Sequence, residues 1–278
     1  MAAAKPLSHG PDFGGRHHRI LPDCLPGRMF RRKTQHKPLK AASSVPEGVR
    51  VYVIGDIHGR SDLLDRQHAL IDADFAAKGA PVVHLVYLGD YVDRGPDSSG
   101  VVERLVEGTS DFVHVTQLRG NHEDMLLRFT QDSSAGRTWL QLGGLETLHS
   151  YGVDVAKVLK DSGHSGLADR FKEKLPPRHL AFFTQLKPST IIGDYFFCHA
   201  GVRPGIPLEQ QQQQDLLWIR DQFLDTTESF GKIVVHGHSP VDQPVFRENR
   251  INIDTGAYAT GKLTCLVLEG PNRRILST

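Results

Sequence analysis

Val82-Val83-His84-Leu85-Val86-Tyr87-Leu88-Gly89-Asp90-Tyr91-Val92-Asp93-Arg94-Gly95 joins a nearly apolar run to a turn built of glycines and charged residues. A short run of this kind, bounded by Gly-Asp, reads as a buried strand. The pattern recurs on either side. Residues 49–54 form a β-branched run that ends in Gly55-Asp56-Ile57-His58-Gly59, and residues 112–118 lead into Gly120-Asn121-His122-Glu123. Between them, residues 61–77 and the set Val101, Val102, Leu105 and Val106 have helical spacing, with Ser61 as the expected N-cap of the first helix and Gly108 closing the second. A further helix is expected from Met125. Strand and helix alternating in this way predict parallel pairing through right-handed crossovers.

The second half has a different rhythm. A mostly helical stretch runs to about Leu186, followed by strand candidates at residues 191–198, 233–235, 250–253 and 263–268. Two of these also end in histidine and glycine, as His199-Ala200-Gly201 and His236-Gly237-His238. The order predicts an α/β domain of two packed sheets with helices outside. Glutamines 210–214 are the low-complexity tract and read as a loop or helix start.

Composition bounds the rest. The 278 residues are 39% hydrophobic and 23% charged with a formal net charge of +1, which excludes collagenous and mainly disordered classes. The longest nearly apolar run, residues 82–88, is far short of the ~18 residues of a membrane span. Three scattered cysteines without a CxxC argue against both a disulfide framework and a thiolate zinc site, and suit a reducing, cytoplasmic compartment. Residues 1–50 carry ten Lys/Arg against three Asp/Glu, with six prolines, whereas the remainder is net acidic. Residues 1–46 therefore read as a basic, disordered tail without a secretory signal, and residues 47–278 as the folded domain that carries the strand-end motifs.

Open α/β sheets collect ligand sites at the carboxyl ends of their strands. Five strand ends would thus bring Asp56, His58, Asp90, Asn121, His199 and His238 to one crevice. Imidazole, carboxylate and amide oxygen without thiolate suit manganese, iron or zinc in a catalytic site. Six ligands are too many for one ion with open positions and fit two. We expect Asp56, His58 and Asp90 on the first and Asp90, Asn121, His199 and His238 on the second, with Asp90 bridging. Two ions ~3.5–4 Å apart clamp an in-line phosphoryl displacement and lower the pKa of a shared water enough for direct attack. Arg94 and Arg220 would bind phosphoryl oxygens through their planar forks. His122 is placed to protonate the leaving alkoxide, with Asp93 orienting it.

Taken together, GDIHG (55–59), GDYVDRG (89–95), GNHE (120–123), HAG (199–201) and GHSP (237–240) resemble the phosphoprotein phosphatase family of calcineurin-like metallophosphoesterases, most of all its compact bacterial and bacteriophage-type members. The resemblance spans about residues 50–270. It implies a four-layer αββα sandwich, a dinuclear centre of manganese or of iron and zinc, and hydrolysis of phosphoserine or phosphothreonine, with phosphotyrosine open. It supports the same six ligands, His122 as acid, Asp93 as its partner, and Arg94 and Arg220 as phosphate binders. Spacing leaves His236 and His238 open; the GHSP context favours His238.

Other readings stand beside these. A dinucleoside polyphosphate hydrolase would use a similar site, and a phosphoprotein-binding pseudophosphatase is the non-enzymatic alternative. Nucleic acid and membrane are not expected as partners, since the domain is acidic and no span is present. Asp56 and Asp90 could be helix caps, and Arg220 could pair with Asp221 or Asp225. Arg203 reads as structural, and Cys198 as core by strand alternation. Tyr258 is equally placed to line the mouth of the site or to be a core aromatic.

Overall fold

A computed structural model describes residues 43–80, 82–108 and 114–278 of the chain. Most of the basic tail, Cys24 and the first residues expected in the third strand lie outside them. The strands are β1 (Val49–Ile54), β2 (Val82–Tyr87), β3 (His114–Gln117), β4 (Ser189–Ile192), β5 (Tyr195–Cys198), β6 (Ile233–His236), β7 (Val245–Phe246), β8 (Arg250–Asn252), β9 (Thr264–Glu269) and β10 (Asn272–Ser277). The helices are α1 (Ser61–Lys78), α2 (Ser98–Glu107), α3 (Asn121–Gln131), α4 (Gly136–Trp139), α5 (Leu145–Ser150), α6 (Val155–Lys174), α7 (Pro177–Gln185), α8 (Gln213–Trp218), α9 (Asp221–Leu224) and α10 (Ala257–Thr260).

Two mixed five-stranded sheets result, in the orders β10-β9-β1-β2-β3 and β4-β5-β6-β8-β7. The strands that carry site residues pair in parallel, β1 with β2, β2 with β3, and β5 with β6. Their carboxyl ends therefore open on the same edge. Antiparallel strands flank them: β9 beside β1, β4 beside β5 and β7 beside β8.

Period-two alternation sorts the side chains into layers. From β1, Val51 and Val53 pack between the sheets with Leu266, Leu268, Phe197, Val235 and Ile251. Tyr52 and Ile54 face the other way, against Leu64, Val101, Leu126 and Phe129 of the helices. Across the second sheet, Phe196, Cys198 and Val234 pack under Leu216, Ile219 and Phe223 of α8 and α9 and their connection. The molecule is thus the expected four-layer αββα sandwich, with Cys198 in its core. Val45, within the stretch read as tail, is also buried between the sheets, and its N–H donates to the Gly270 carbonyl at 3.2 Å.

Three local expectations change. The run at 191–198 is a hairpin, β4 turning at Gly193 into antiparallel β5. Ser61 is the first residue of α1 and not its cap; its hydroxyl donates to Asp97 at 2.5 Å. The edge strands β7 and β10 escape the sequence pattern because they are short or rich in polar residues, as edge strands are. Among the described residues, no helix is long and apolar enough to cross a membrane.

Candidate metal centre

Three of the expected ligands, His58, Asp90 and His238, sit in strained backbone just beyond their strands. Among the described residues, the non-glycine residues with positive φ are His58 (47°), Asp90 (53°), Asp93 (72°), Arg94 (67°) and His238 (66°). Such outliers persist where surrounding structure holds them, and they cluster at functional sites. The structure shows what holds them here. Glu123, buried at the start of α3, accepts from the backbone N–H of Asp90 at 2.9 Å, Tyr91 at 2.8 Å, Val92 at 3.3 Å and Gly120 at 2.9 Å. One carboxylate thus ties the β2 and β3 ends together. Glycines permit the contact: a Cβ on Gly120 would lie 2.1 Å from Oδ1 of Asp90, and one on Gly237 1.9 Å from Oδ1 of Asp56.

The donor atoms then converge. Oδ2 of Asp90 lies 3.5 Å from Nε2 of His58, 3.8 Å from Nε2 of His122 and 3.3 Å from Nε2 of His199. Oδ1 of Asn121 is 2.8 Å from Nε2 of His199 and 2.8 Å from Nδ1 of His238. Two groups of ligand atoms form, His58–Asp90–His122 and Asp90–His199–His238, and Asp90 belongs to both. His122 thus stands nearer the first group than Asp56 does. The Asp56 carboxylate accepts the His238 N–H at 2.9 Å on Oδ2, and its other oxygen has no partner. Neither Asp56 nor Asp90 caps a helix.

The donor set fits cations. Nδ1 of His199 donates to the Leu88 carbonyl at 3.0 Å, and Nδ1 of His58 to the Val92 carbonyl at 2.8 Å. Their Nε2 atoms are left facing carboxylate and amide oxygens. Oδ1 of Asp56 and Nε2 of His238 are buried with no hydrogen-bond partner, a costly state that a bound cation relieves.

Electrostatics tell the same story. Burial raises the Asp56 carboxyl well above its usual value, and Asp254 adds to it. Burial would also raise Asp90, but His199 and His122 outweigh it and hold it well below its usual value. Conversely, burial opposes charge on His199, yet Asp90 draws it up to about 9. Burial pushes His58 down to about 3 and His238 to about 2. Glu123 is pushed up to about 7 by burial and then by Asp90. Carboxylates and imidazoles packed this closely in a buried space set one another's protonation.

Residues 49–266 match the family model described as calcineurin-like phosphoesterase. The chain belongs to the calcineurin-like phosphoesterase family. It is therefore a phosphoester hydrolase, and members of the family use a dinuclear divalent metal site. Curated relatives include the bis(5'-nucleosyl)-tetraphosphatase PrpE [asymmetrical] of Bacillus mycoides, 28% identical over 242 residues, covering 77% of this chain and 88% of that one. The protein of the same name from Bacillus cereus is 28% identical over 245 residues with the same coverage. A solved structure provisionally named a diadenosine tetraphosphatase superposes with a TM-score of 0.56 at 20% identity, covering 85% of this chain and 98% of that one.

In this calcineurin-like phosphoesterase the remaining expected residues take distinct places. Nδ1 of His122 donates to Oδ2 of Asp93 at 2.7 Å. Arg94 directs Nη1 to Nε2 of His58 at 3.0 Å and Nη2 to Nε2 of His122 at 3.1 Å. Arg220 lies at the opposite end, Nη1 3.4 Å from the Ser239 hydroxyl, where its charge helps depress His238 after burial and His199. Arg203 is bound to Asp215 at 2.8 and 2.5 Å and is structural. His236 is buried away from the ligand groups, between the Gly237 carbonyl at 3.0 Å and Arg250 at 3.3 Å. Tyr258 lies at the mouth and not in the core.

Four participants had no sequence signal strong enough to single them out. Glu123 sits inside a recognised motif but had no assigned role. Asp254, buried at the end of β8, faces Asp56 and accepts from Gly256 N–H at 2.9 Å. Trp139 and Thr147 come from α4 and α5 to donate to Asp93, at 2.9 and 2.6 Å.

Proposed function

We propose that this chain hydrolyses dinucleoside tetraphosphates asymmetrically, into a nucleoside triphosphate and a nucleoside monophosphate. The observation that carries it is the pair Arg94 and Arg220. Among the described residues neither pairs with a carboxylate, and they flank opposite ends of one ligand cluster. Two uncommitted guanidinium forks at the two ends suit a chain of phosphates. The tetraphosphatase activity for which the Bacillus relatives are named supplies the choice of substrate.

In this reading Asp56, His58, Asp90, Asn121, His199 and His238 hold two divalent ions, manganese or iron and zinc by donor type. Bound there, such ions ionise water and neutralise phosphoryl oxygens. The protein's own groups do the rest. Arg94 and Arg220 orient the phosphoryl group. Asp93, fixed by Trp139 and Thr147, keeps the His122 imidazole turned with Nε2 toward the cluster. That nitrogen, once protonated, hydrogen-bonds the leaving phosphate oxygen here and can give its proton to a more basic leaving group.

The His122–Asp93 pair favours a second reading, hydrolysis of phosphoserine or phosphothreonine in proteins. A serine alkoxide is a poor leaving group that requires a proton. A nucleotide phosphate leaves as a stable anion. Anion-exchange chromatography of a manganese-supplemented reaction separates the readings. Equimolar ATP and AMP from diadenosine tetraphosphate is the expected result. Turnover of a phosphopeptide panel with the tetraphosphate left intact transfers the assignment to the second reading.

A further inference from the structure

We infer that Tyr258 is a positioning residue for Arg94, and through it sets the affinity of the site for a phosphoryl group. The guanidinium carbon of Arg94 lies over the Tyr258 ring, 4.9 Å from its centroid. The same ring meets His58 in a T-shaped contact at 5.4 Å. Tyr258 is 38% exposed, so its ring is not filling the core. A half-exposed ring held over a guanidinium gains the cation–π attraction that fixes the cation's place.

The turn that carries it is built to hold still. Gly256 adopts φ 65°, and its N–H donates to Oδ1 of Asp254 at 2.9 Å. The hydroxyl of Thr260 bonds back to the carbonyls of Thr255 at 2.9 Å and Gly256 at 3.0 Å. From the start of α1, Arg60 donates to the Ala257 carbonyl at 3.0 Å, one residue before the ring. The ring therefore has a fixed address relative to the first strand end.

Arg94 needs such a partner. Its backbone is pinned at φ 67° by a hydrogen bond to the Gly143 carbonyl at 3.1 Å. Gly143, itself at φ 111°, comes so near that a Cβ there would meet the Arg94 side chain at 2.7 Å. The long side chain beyond that point has no carboxylate to lock it among the described residues. Its orientation rests on two imidazoles and the Tyr258 face. A guanidinium held in advance loses less freedom on binding phosphate. The ring face supplies this hold and the phenol hydroxyl does not.

The inference rests on the reading of Arg94 as a phosphate-binding group, and the test separates the two. The full chain, loaded with manganese, is titrated calorimetrically with inorganic phosphate, and its metal content is measured in parallel. Tyr258→Ala is expected to weaken phosphate binding about 2- to 5-fold, as loss of an exposed cation–π contact does. Tyr258→Phe stays within about 2-fold of the parent, because its ring face is retained. Metal content is unchanged in both. In an Arg94→Met background, Tyr258→Ala has no further effect, since the two act as a unit. Phosphate affinity unchanged in Tyr258→Ala while Arg94→Met weakens it overturns the inference and leaves Arg94 in its role. Phosphate affinity unchanged in Arg94→Met overturns both. Loss of metal in Tyr258→Ala, or equal loss of affinity in Tyr258→Phe, also overturns the inference, by assigning the effect to His58 or to the hydroxyl.

Discussion

The indole Nε1 of Trp139 donates to Oδ2 of Asp93 at 2.9 Å. His122 reaches the same oxygen through Nδ1 at 2.7 Å, while Oδ1 takes the Thr147 hydroxyl at 2.6 Å. A carboxylate so fully engaged cannot rotate, and neither can the imidazole it holds. The side-chain geometry of the loop after β2 is thus held by helices α4 and α5.

This arrangement predicts a leaving-group signature. His122→Asn should lower kcat by about 10²- to 10⁴-fold on an alkyl phosphate, the range for losing a general acid. The loss should be much smaller on p-nitrophenyl phosphate, whose leaving group needs no proton. Trp139→Phe should show the same dependence on leaving group at about a tenth of the parent rate, with KM nearly unchanged. Equal penalties on both substrates count against His122 as the acid.

Asp90 belongs to both ligand groups, so its loss should not be local. Asp90→Asn should reduce bound metal, measured by mass spectrometry, from about two ions per chain to fewer than one, and kcat by about 10³-fold or more. Chelation of the parent should do likewise and lower the melting temperature by about 5–10 °C, because ions bound to the folded state stabilise it by mass action. Asp56, Asp90, Glu123 and Asp254 are all buried, and removal of cations leaves them facing one another. A melting temperature indifferent to chelator would show that no cation is held there.

Gly237 tests the packing around Asp56. An added methyl would stand 1.9 Å from the Asp56 carboxylate, an approach no real Cβ makes. Gly237→Ala should therefore displace Asp56 and weaken metal binding at least about 10-fold, the lower end for disturbing a ligand's support. Far-ultraviolet circular dichroism should remain that of the parent. Normal metal affinity in a folded Gly237→Ala protein would remove Asp56 from the ligand set.

A second, part-buried polar cluster lies remote from the site and joins β1, α1 and β10. Asp74 accepts from the Tyr52 hydroxyl at 2.7 Å, pairs with Arg274, and lies 3.7 Å from Arg50. Burial alone would raise the Asp74 carboxyl, but the bonds from Arg274 and Tyr52 outweigh it and hold it below its usual 3.8. A carboxyl depressed on folding contributes stability that is complete above the unfolded value and fades as pH falls through the folded one. Asp74→Asn should cost about 1–3 kcal/mol at pH 7 in urea unfolding. The gap between variant and parent should narrow below about pH 4. A gap independent of pH would assign the effect to packing.

Much of the fold was legible in one dimension. Apolar runs that each stop at a glycine and a polar residue identified β1, β2, β5 and β6, because a buried parallel strand must be apolar throughout and must turn sharply at its end. The same ends named the residues that now converge, since parallel strands expose their carboxyl termini on one edge. Polar edge strands carry no such mark, so β10, with Asn272, Arg273 and Arg274, was invisible. The turn at Gly193-Asp194 was hidden inside what read as one strand.

Residue order alone therefore determined the layered α/β architecture, the phosphoesterase chemistry and the set of residues available to hold cations. Tertiary structure decided how they are used. It placed His122 beside His58 and Asp90, brought Glu123 under four backbone amides, and delivered Trp139, Thr147, Asp254 and Tyr258 from distant segments. Strand ends are written in local periodicity, which a sequence displays. Supporting contacts come from side chains whose neighbours along the chain say nothing of their neighbours in space.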